Sequence, residues 1–185
     1  MKNLSPLKSF VNDTNDRAAY TKHWYVVETR MNHEKKLRDQ LTNMGVECFI
    51  ASQIIERQWK YRKKKIEQLI LPMKVFVCIE KRERRALLDM SLIIRFMHER
   101  NSPTPLIIPA EQMNPFMKML KCSSSPVSMD GSKLESGCKV RVIRGSLQGL
   151  EGSVISHEGR SKLKIEMNMF GAVCVEIALE DIEKL

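Results

Sequence analysis

The stretch from residue 137 to residue 155 limits the fold of this chain more than any other, because it holds four of the eight glycines. Runs of alternating β-branched residues flank a loop that contains Gly145, Gly149 and Gly152. Such alternation indicates half-buried strands, and glycine indicates tight turns or bulges where φ is positive. The stretch therefore predicts a small, strongly bent β-barrel in which these glycines are structural, and it offers no catalytic side chain.

The chain has 185 residues, enough for two small domains. Its fold class is expected to be α+β. The predicted elements of residues 22–121 run β-α-β-β-α-β-α, an order that fits a ferredoxin-like α/β sandwich. Residues 1–21 are expected to form a flexible leader and residues 122–135 a Ser-rich linker. Residues 136–185 are expected to form a five-stranded SH3-like barrel, with strands at 138–143, 152–156, 162–167, 172–177 and 180–184.

In the first domain, β-branched and aromatic runs predict strands, and apolar residues at helical spacing predict helices. Asn32 is expected to be the N-cap of the first helix, and Gly45 is expected to follow its C-terminus. In the second helix, Leu87 and Leu88 are expected to point inward. The predicted strands lie at 23–29, 46–58, 66–80 and 93–98, and the predicted helices at 32–45, 82–90 and 109–122.

The excess of positive over negative charge lies entirely in residues 1–121. Residues 1–121 carry 23 Lys and Arg against 13 Asp and Glu, whereas residues 122–185 carry 8 against 9. An excess of this kind in one module indicates that the module faces a polyanion. In the densest run, aromatic residues are interleaved with cations: Arg57, Trp59, Lys60, Tyr61, Arg62, Lys63, Lys64 and Lys65.

The basic run at 57–65 suits nucleic acid, because cations release counterions from phosphates and an aromatic face can stack an unpaired base. The alternative is a solvated hairpin tip whose charges only keep the protein soluble. Arg30, His33 and Lys36 are further candidates at the start of the first helix, where backbone N–H groups add positive potential. They are equally consistent with ordinary exposed polar residues, as is a second basic cluster at 81–85.

Other classes of protein find little support. The N-terminus lacks a signal-like apolar segment and no apolar run reaches 18 residues, so a cytoplasmic protein without membrane contact is expected. The five cysteines are widely spaced and odd in number, and the four histidines lack metal-ligand spacing. Neither a catalytic set nor a phosphate-binding glycine loop is visible, so we expect no enzyme, no metal and no cofactor.

The order of the segments resembles the NusG family. Trp24-Tyr25 on a first strand, a basic hairpin, Pro72 followed by Val75-Phe76-Val77, a further strand, a helix, a linker and a segment similar to the KOW motif succeed one another over residues 23–185. Within the family the chain looks most like specialised members of the RfaH type. It is closer still to the UpxY-type antiterminators of capsular polysaccharide operons.

The resemblance implies a bacterial elongation and antitermination factor. Its first domain would dock on the clamp helices of RNA polymerase, reach toward the gate loop and suppress pausing or termination. Specialised members also touch the non-template DNA strand or the nascent RNA. By position, the clamp-facing surface would comprise Tyr25, Ile70, Leu71, Pro72, Lys74 and Phe76. The family usually has an aromatic residue where this chain has Lys74, whose stem could lie on the polymerase while its charge meets an acidic group.

The partner of the barrel stays open between a ribosomal protein and a termination factor, with Leu147, Met167, Met169 and Phe170 as candidate contacts. We expect a monomer. The alternatives are a ribosome-associated or general RNA-binding KOW protein, and a housekeeping NusG factor. A ribosomal KOW barrel should be basic, whereas this barrel is nearly neutral. Lys74 and the polybasic hairpin weigh against the housekeeping factor.

Overall fold

The computed structural model describes residues 21–60, 62–130, 137–157, 160–167 and 170–185. Outside these described residues lie residues 1–20 of the predicted leader, Tyr61, Met169 and residues 131–135 of the predicted linker. No helix among the described residues is long and apolar enough to cross a membrane. In chain order the elements are β1 (His23–Thr29), α1 (Glu34–Asn43), β2 (Glu47–Phe49), β3 (Ser52–Trp59), β4 (Arg62–Leu69), β5 (Lys74–Ile79), α2 (Arg84–Leu88), β6 (Ile93–Phe96), β7 (Ile107–Ile108), α3 (Ala110–Cys122), β8 (Val127–Asp130), β9 (Cys138–Val142), β10 (Glu151–His157), β11 (Arg160–Met167), β12 (Gly171–Glu176) and β13 (Ile182–Lys184).

An antiparallel sheet with strand order β2-β5-β1-β6 forms the first domain, and β7 adds a short pairing to β1. This order is that of the ferredoxin-like split β-α-β fold, so the prediction for this domain is confirmed. Side chains alternate across the sheet. Tyr25 and Val27 therefore pack with α1 and α2, whereas Trp24 and Val26 pack with α3.

The ends of the helices differ in part from the predictions. Asn32 has a φ of +64° and lies in a turn, while His33 is the N-cap of α1. The N-cap prediction for Asn32 is wrong, because its positive φ places it in a turn one residue before the N-cap. Gly45 follows the C-cap with a φ of +75°, as expected. In α2 only Leu87 is buried, and Leu88 is 46% exposed, so the inward orientation predicted for Leu88 is wrong.

Two predicted strands are each broken in two. The apolar pattern continues through residues 50–51 and 70–73, but the chain turns there. The backbone carbonyl of Ala51 accepts hydrogen bonds from the N–H groups of Ile70 and Leu71. Between these breaks β3 and β4 pair with each other in a separate two-stranded sheet, from Ser52↔Leu69 to Trp59↔Arg62. We call this hairpin, residues 52–69, the ribbon.

The second domain is a six-stranded antiparallel sheet with order β13-β9-β10-β11-β12-β8. Five strands match the predicted barrel, and the sixth, β8, lies inside the predicted Ser-rich linker and pairs with β12. Gly145 and Gly149 have φ values of +81° and +82°. Gly152 serves another purpose, since a Cβ there would lie 2.6 Å from the carbonyl oxygen of Lys164 on the neighbouring strand.

The barrel packs against the first domain. One hydrophobic cluster contains Trp24 and Phe76 of the sheet, Phe116 of α3 and Leu163 of the barrel. We call this contact between the domains the seam. The ring centroid of Phe170 in the barrel lies 5.9 Å from that of Phe76. At the rim of the seam the ammonium group of Lys118 donates a hydrogen bond to the carbonyl oxygen of Gln148.

Candidate functional site

The six residues that the resemblance assigns to the polymerase do not form one surface. Tyr25 is 2% exposed and packs edge-on against Phe96 on the side of α1 and α2. Phe76 is fully buried on the opposite face of the sheet, since it pairs with Val26. The assignment of Tyr25 and Phe76 to an exposed docking surface is therefore not supported in this arrangement of the domains, because strand alternation separates them.

Three of the six residues form a continuous turn between β4 and β5, which we call the docking turn. Ile70 and Leu71 are half-buried against the hydrophobic cluster of the seam, and Pro72 is exposed. Met73 closes the turn with a φ of +62°. Its N–H donates a hydrogen bond to Oε1 of Glu34 at 2.7 Å, and its carbonyl accepts one from the N–H of Thr29 at 3.0 Å. The docking turn is thus held from both sides.

Lys74 is engaged within the protein. Its ammonium group lies 3.1 Å from Oε1 of Glu28, whose other oxygen accepts a hydrogen bond from Nε of Arg95 at 2.5 Å. Both cations stand directly opposite Glu28 on the neighbouring strands. The hydrogen bond from Arg95 holds the pKa of the Glu28 carboxyl below its usual value, Lys74 acts in the same direction, and burial opposes both. Sequence reasoning missed Glu28 and Arg95 because the strand register was not known.

The ribbon has two chemically different faces. Cross-strand pairs share a face and successive pairs alternate, so Arg57, Trp59, Arg62 and Lys64 lie on one side. We call this side the Trp59 face; it carries three cations, and Trp59 is 56% exposed. The opposite side, the Lys63 face, carries a glutamate and a glutamine as well as two cations: Glu56, Gln58, Lys63 and Lys65.

The cations of the Trp59 face have no acidic partner within 4.0 Å in the part of the chain that the structure describes. Lys63 and Lys65 likewise lack such a partner among the described residues, but Glu56 stands opposite Lys65 on their face. Lys60 is exposed at the turn of the ribbon. The structure thus brings most of the predicted basic run together and divides it into two sides.

The root of the ribbon is fixed to the first domain. Glu67 accepts a hydrogen bond from Ser52 at 2.7 Å and lies 2.6 Å from the ammonium group of Lys35 and 3.4 Å from Arg38, both on α1. The hydrogen bond from Lys35 lowers the pKa of Glu67, and Ser52 and Arg38 contribute in the same direction against burial. On the other side, Gln53 binds the segment that links α3 to β8, through the carbonyls of Ser123 and Ser125 and the N–H of Val127.

The three candidates at the start of α1 are placed near the surface. Arg30 and Lys36 are exposed, and His33 is half-buried with Nδ1 3.0 Å from the carbonyl oxygen of Met31. The contact from α1 to the ribbon runs through Lys35 and Arg38 instead. Sequence reasoning did not single out these two, although their spacing of three on the helix was a usable signal.

The second basic cluster lines a groove. Lys81, Arg84 and Arg85 face the 98–105 loop across an open cavity of about 340 Å³ that continues into a neighbouring one of about 420 Å³. The guanidinium of Arg84 lies 5.5 Å from the ring centroid of Tyr25. Among the residues described, no group of three His, Cys, Asp or Glu side chains could hold a metal ion.

Comparisons with known proteins agree on one family. The family model described as "Transcription termination factor nusG" matches residues 22–117. The transcription termination/antitermination proteins NusG of Streptococcus pyogenes serotype M3 (strain ATCC BAA-595 / MGAS315) and serotype M1 are each 24% identical over 182 residues, which cover 90% of this chain and 98% of the relative.

Two solved structures are similar over most of the chain. One is described as "Domain interaction in Thermotoga maritima NusG", with 19% identity, a TM-score of 0.46, and coverage of 89% of this chain and 98% of that chain. The other is an MjSpt4:Spt5 complex, with 14% identity, a TM-score of 0.28, and coverage of 88% and 97%.

Proposed function

This chain belongs to the NusG family of transcription termination factors, and from that premise we propose that it is an elongation and antitermination factor that binds RNA polymerase and nucleic acid together. The observation that carries the proposal is the position of the family match. It covers residues 22–117, the same domain that holds the whole excess of positive charge. A domain of this kind can hold a protein partner on one surface and a polyanion on another.

The docking turn is our proposed contact with the clamp helices. It presents Ile70, Leu71 and Pro72 at the surface of the first domain, and the hydrogen bond from Met73 to Glu34 fixes its shape. Apolar residues on a preorganised turn bind without a large loss of conformational freedom. Phe76 lies deeper, beneath Phe170 of the barrel, so it can join the contact only when the barrel moves away from the sheet.

The finer role follows the resemblance to the RfaH and UpxY types. We propose that the protein is a monomeric, non-catalytic, cytoplasmic factor that suppresses pausing or termination in a polysaccharide operon. The ribbon, with Arg30, His33 and Lys36 around the start of α1, would meet the non-template strand or the nascent RNA. The nearly neutral barrel would recruit a second protein, a ribosomal protein or a termination factor. The exposed basic ribbon and Lys74 in place of an aromatic residue support the specialised role over the housekeeping one.

Co-purification with RNA polymerase tests the docking turn. Ile70→Asp places a charge in the proposed apolar contact and should weaken binding about tenfold or more, the usual effect of losing a central contact. The matched control is Ile54→Asp, the same substitution at an isoleucine that is 70% exposed on the Lys63 face of the ribbon. The control should bind the polymerase like the unchanged protein.

Because Ile70 is half-buried, its variant could lose stability as well as binding. Pro72→Asp is the second variant, since Pro72 is exposed and its replacement leaves the core intact. Thermal melting of each variant separates loss of fold from loss of contact. Unchanged polymerase binding by folded Ile70→Asp and Pro72→Asp proteins would contradict docking through this turn.

A further inference from the structure

The arrangement of aromatic and basic side chains on the ribbon extends the proposed function. Its eight cross-strand pairs place Arg57, Trp59, Arg62 and Lys64 on one face near the free end. We propose that this Trp59 face is a binding site for an unpaired nucleic-acid strand, and that the Lys63 face is not. The inference rests on the proposed function in one respect, namely that the protein contacts nucleic acid.

The geometry of the Trp59 face suits one base and the phosphates beside it. Trp59 stands directly opposite Arg62, and Arg57 stands opposite Lys64. Side chains opposite each other are about 5 Å apart at Cβ, and the two pairs are about 7 Å apart along the strands. One exposed indole is thus surrounded by three cations within a patch about as large as a nucleotide. The indole can stack a base while the cations meet the neighbouring phosphates.

The charge of the two faces differs in the way the proposal requires. The Trp59 face carries three cations and no acidic residue, whereas the Lys63 face carries two cations and Glu56. A phosphate backbone along the Lys63 face would approach the carboxylate of Glu56, and no aromatic residue of β3 or β4 lies on that face. Along the Trp59 face, each of the three cations can release a counterion, since none has an acidic partner among the described residues.

The exposed indole decides between unpaired and paired strands. In a duplex the base faces are already stacked on each other, so Trp59 could contact only the backbone. Cations alone favour the duplex, because its charge density is higher than that of a single strand. A preference of this protein for the unpaired strand would therefore come from stacking on Trp59, which is 56% exposed.

Contacts at the root of the ribbon attach the Trp59 face to the first domain. Glu67 joins Ser52 to Lys35 and Arg38 of α1, and Gln53 joins the ribbon to the segment before β8. These contacts hold the ribbon on both sides at its root, while its tip extends into solvent. Anchoring at the root restricts how the ribbon can move relative to the first domain, which lowers the conformational cost of binding a strand.

Binding of the full chain to labelled oligonucleotides tests the proposal without polymerase. The three probes are a single-stranded DNA, a single-stranded RNA of the same sequence and the corresponding DNA duplex. We expect tighter binding of the unpaired probes than of the duplex, and the DNA and RNA arms show which unpaired strand is preferred. Trp59→Ala should weaken the binding of unpaired probes about tenfold and remove the preference over the duplex.

The two faces are compared by variants of equal charge. Arg57→Gln with Lys64→Gln removes two cations from the Trp59 face, and Lys63→Gln with Lys65→Gln removes two from the Lys63 face. For unpaired probes, the slope of log K against log salt should fall by about 1.4 in the first variant, about 0.7 for each cation lost. The second variant should change the slope clearly less. Equal changes in the two variants would overturn the assignment to one face.

Tryptophan fluorescence gives an independent readout. The chain has two tryptophans, and Trp24 is 7% exposed in the core. Binding of an unpaired strand should quench the emission of Trp59, and the quenching should vanish in Trp59→Phe. Quenching that persists in Trp59→Phe, or equal affinity for duplex and unpaired probes, would overturn stacking. Absence of binding to any probe would overturn the site. It would not affect the proposed docking on RNA polymerase, which co-purification tests separately.

Discussion

Glu28 shows what a single residue contributes to this fold. It sits in the middle strand of the sheet and binds Arg95 of β6 and Lys74 of β5. Removal of the carboxylate charge should leave these two cations close together without an anion between them. Glu28 therefore links its own strand, β1, to both neighbouring strands: β5, which follows the docking turn, and β6.

The free energy of unfolding should depend on pH through the ionisation of Glu28. Its pKa is held below the usual value of 4.5, so the ionised form stabilises the fold at neutral pH, and this contribution is lost as the pH falls below about 4.5 through the lowered pKa. Glu28→Gln should lower the melting temperature at pH 7 by roughly 2–4 °C and should have little effect near pH 3. Exposed Glu180→Gln is the control. Equal losses for Glu28→Gln at both pH values would contradict the ionic role.

At the scale of single residues, the sequence predicted which side chains of the ribbon are exposed better than it predicted which side chains contact each other. Trp59, Arg62 and Lys64 are exposed as their polar surroundings indicated. The pairing of Lys74 with Glu28 could not be predicted, because it depends on the register between strands 46 residues apart in sequence. The same holds for Phe76 and Tyr25, whose positions on opposite faces follow from the alternation of two paired strands.

Among the elements, α1 and the docking turn are linked by a partly buried hydrogen bond. Glu34 is 1% exposed in the first turn of α1, and its Oε1 accepts the N–H of Met73. The backbone of Met73 adopts a φ of +62°, which is unusual for a side chain of this kind. The carboxylate thus stabilises a turn conformation that the local sequence does not favour by itself.

Two substitutions at Glu34 separate size from hydrogen bonding. Glu34→Met keeps the volume but leaves the N–H of Met73 without an acceptor, which should cost about 1–3 kcal/mol of unfolding free energy. Glu34→Gln keeps an acceptor oxygen and should cost less. Urea unfolding monitored by circular dichroism measures both. If the two variants were equally stable, the hydrogen bond would not be what holds the turn.

The elements themselves were largely visible in the sequence, but their interruptions were not. The segments at 46–58 and 66–80 look continuous by composition, yet the chain leaves the main sheet at both ends of the ribbon. The strand β8 escaped detection because a serine-rich segment is typical of a linker, and its pairing with β12 is a long-range contact. Local composition does not report such contacts.

For the whole molecule, the seam determines which surfaces are free. Phe76, Phe116 and Phe49 form a group of mutually contacting rings on the sheet and α3, and Phe170 of the barrel covers Phe76. Nothing in the sequence predicted this packing, since the barrel and the first domain were each plausible as separate units. The resemblance makes Phe170 a candidate contact for an outside partner, whereas in the structure its ring contacts Phe76 of the first domain.

Loosening the seam should expose the apolar face of the sheet. Phe170→Ala removes the ring above Phe76, and Leu179→Ala, at a barrel residue that is 65% exposed, is the matched control. Phe170→Ala should increase the binding of an apolar fluorescent dye and, if Phe76 belongs to the docking surface, should tighten association with RNA polymerase severalfold. Increased dye binding with weaker polymerase association would exclude Phe76 from that surface.

The separate hydrogen bonding of the ribbon has an evolutionary consequence. Beyond its root, the described strands β3 and β4 form a two-stranded sheet of their own, so insertions, deletions or exchanges at the tip leave the strand order of the main sheet unaltered. Relatives could therefore diverge in the length and composition of this hairpin while their shared scaffold is retained. Transplanting the tip between such proteins would exchange the surface that we propose binds nucleic acid without altering the main sheet.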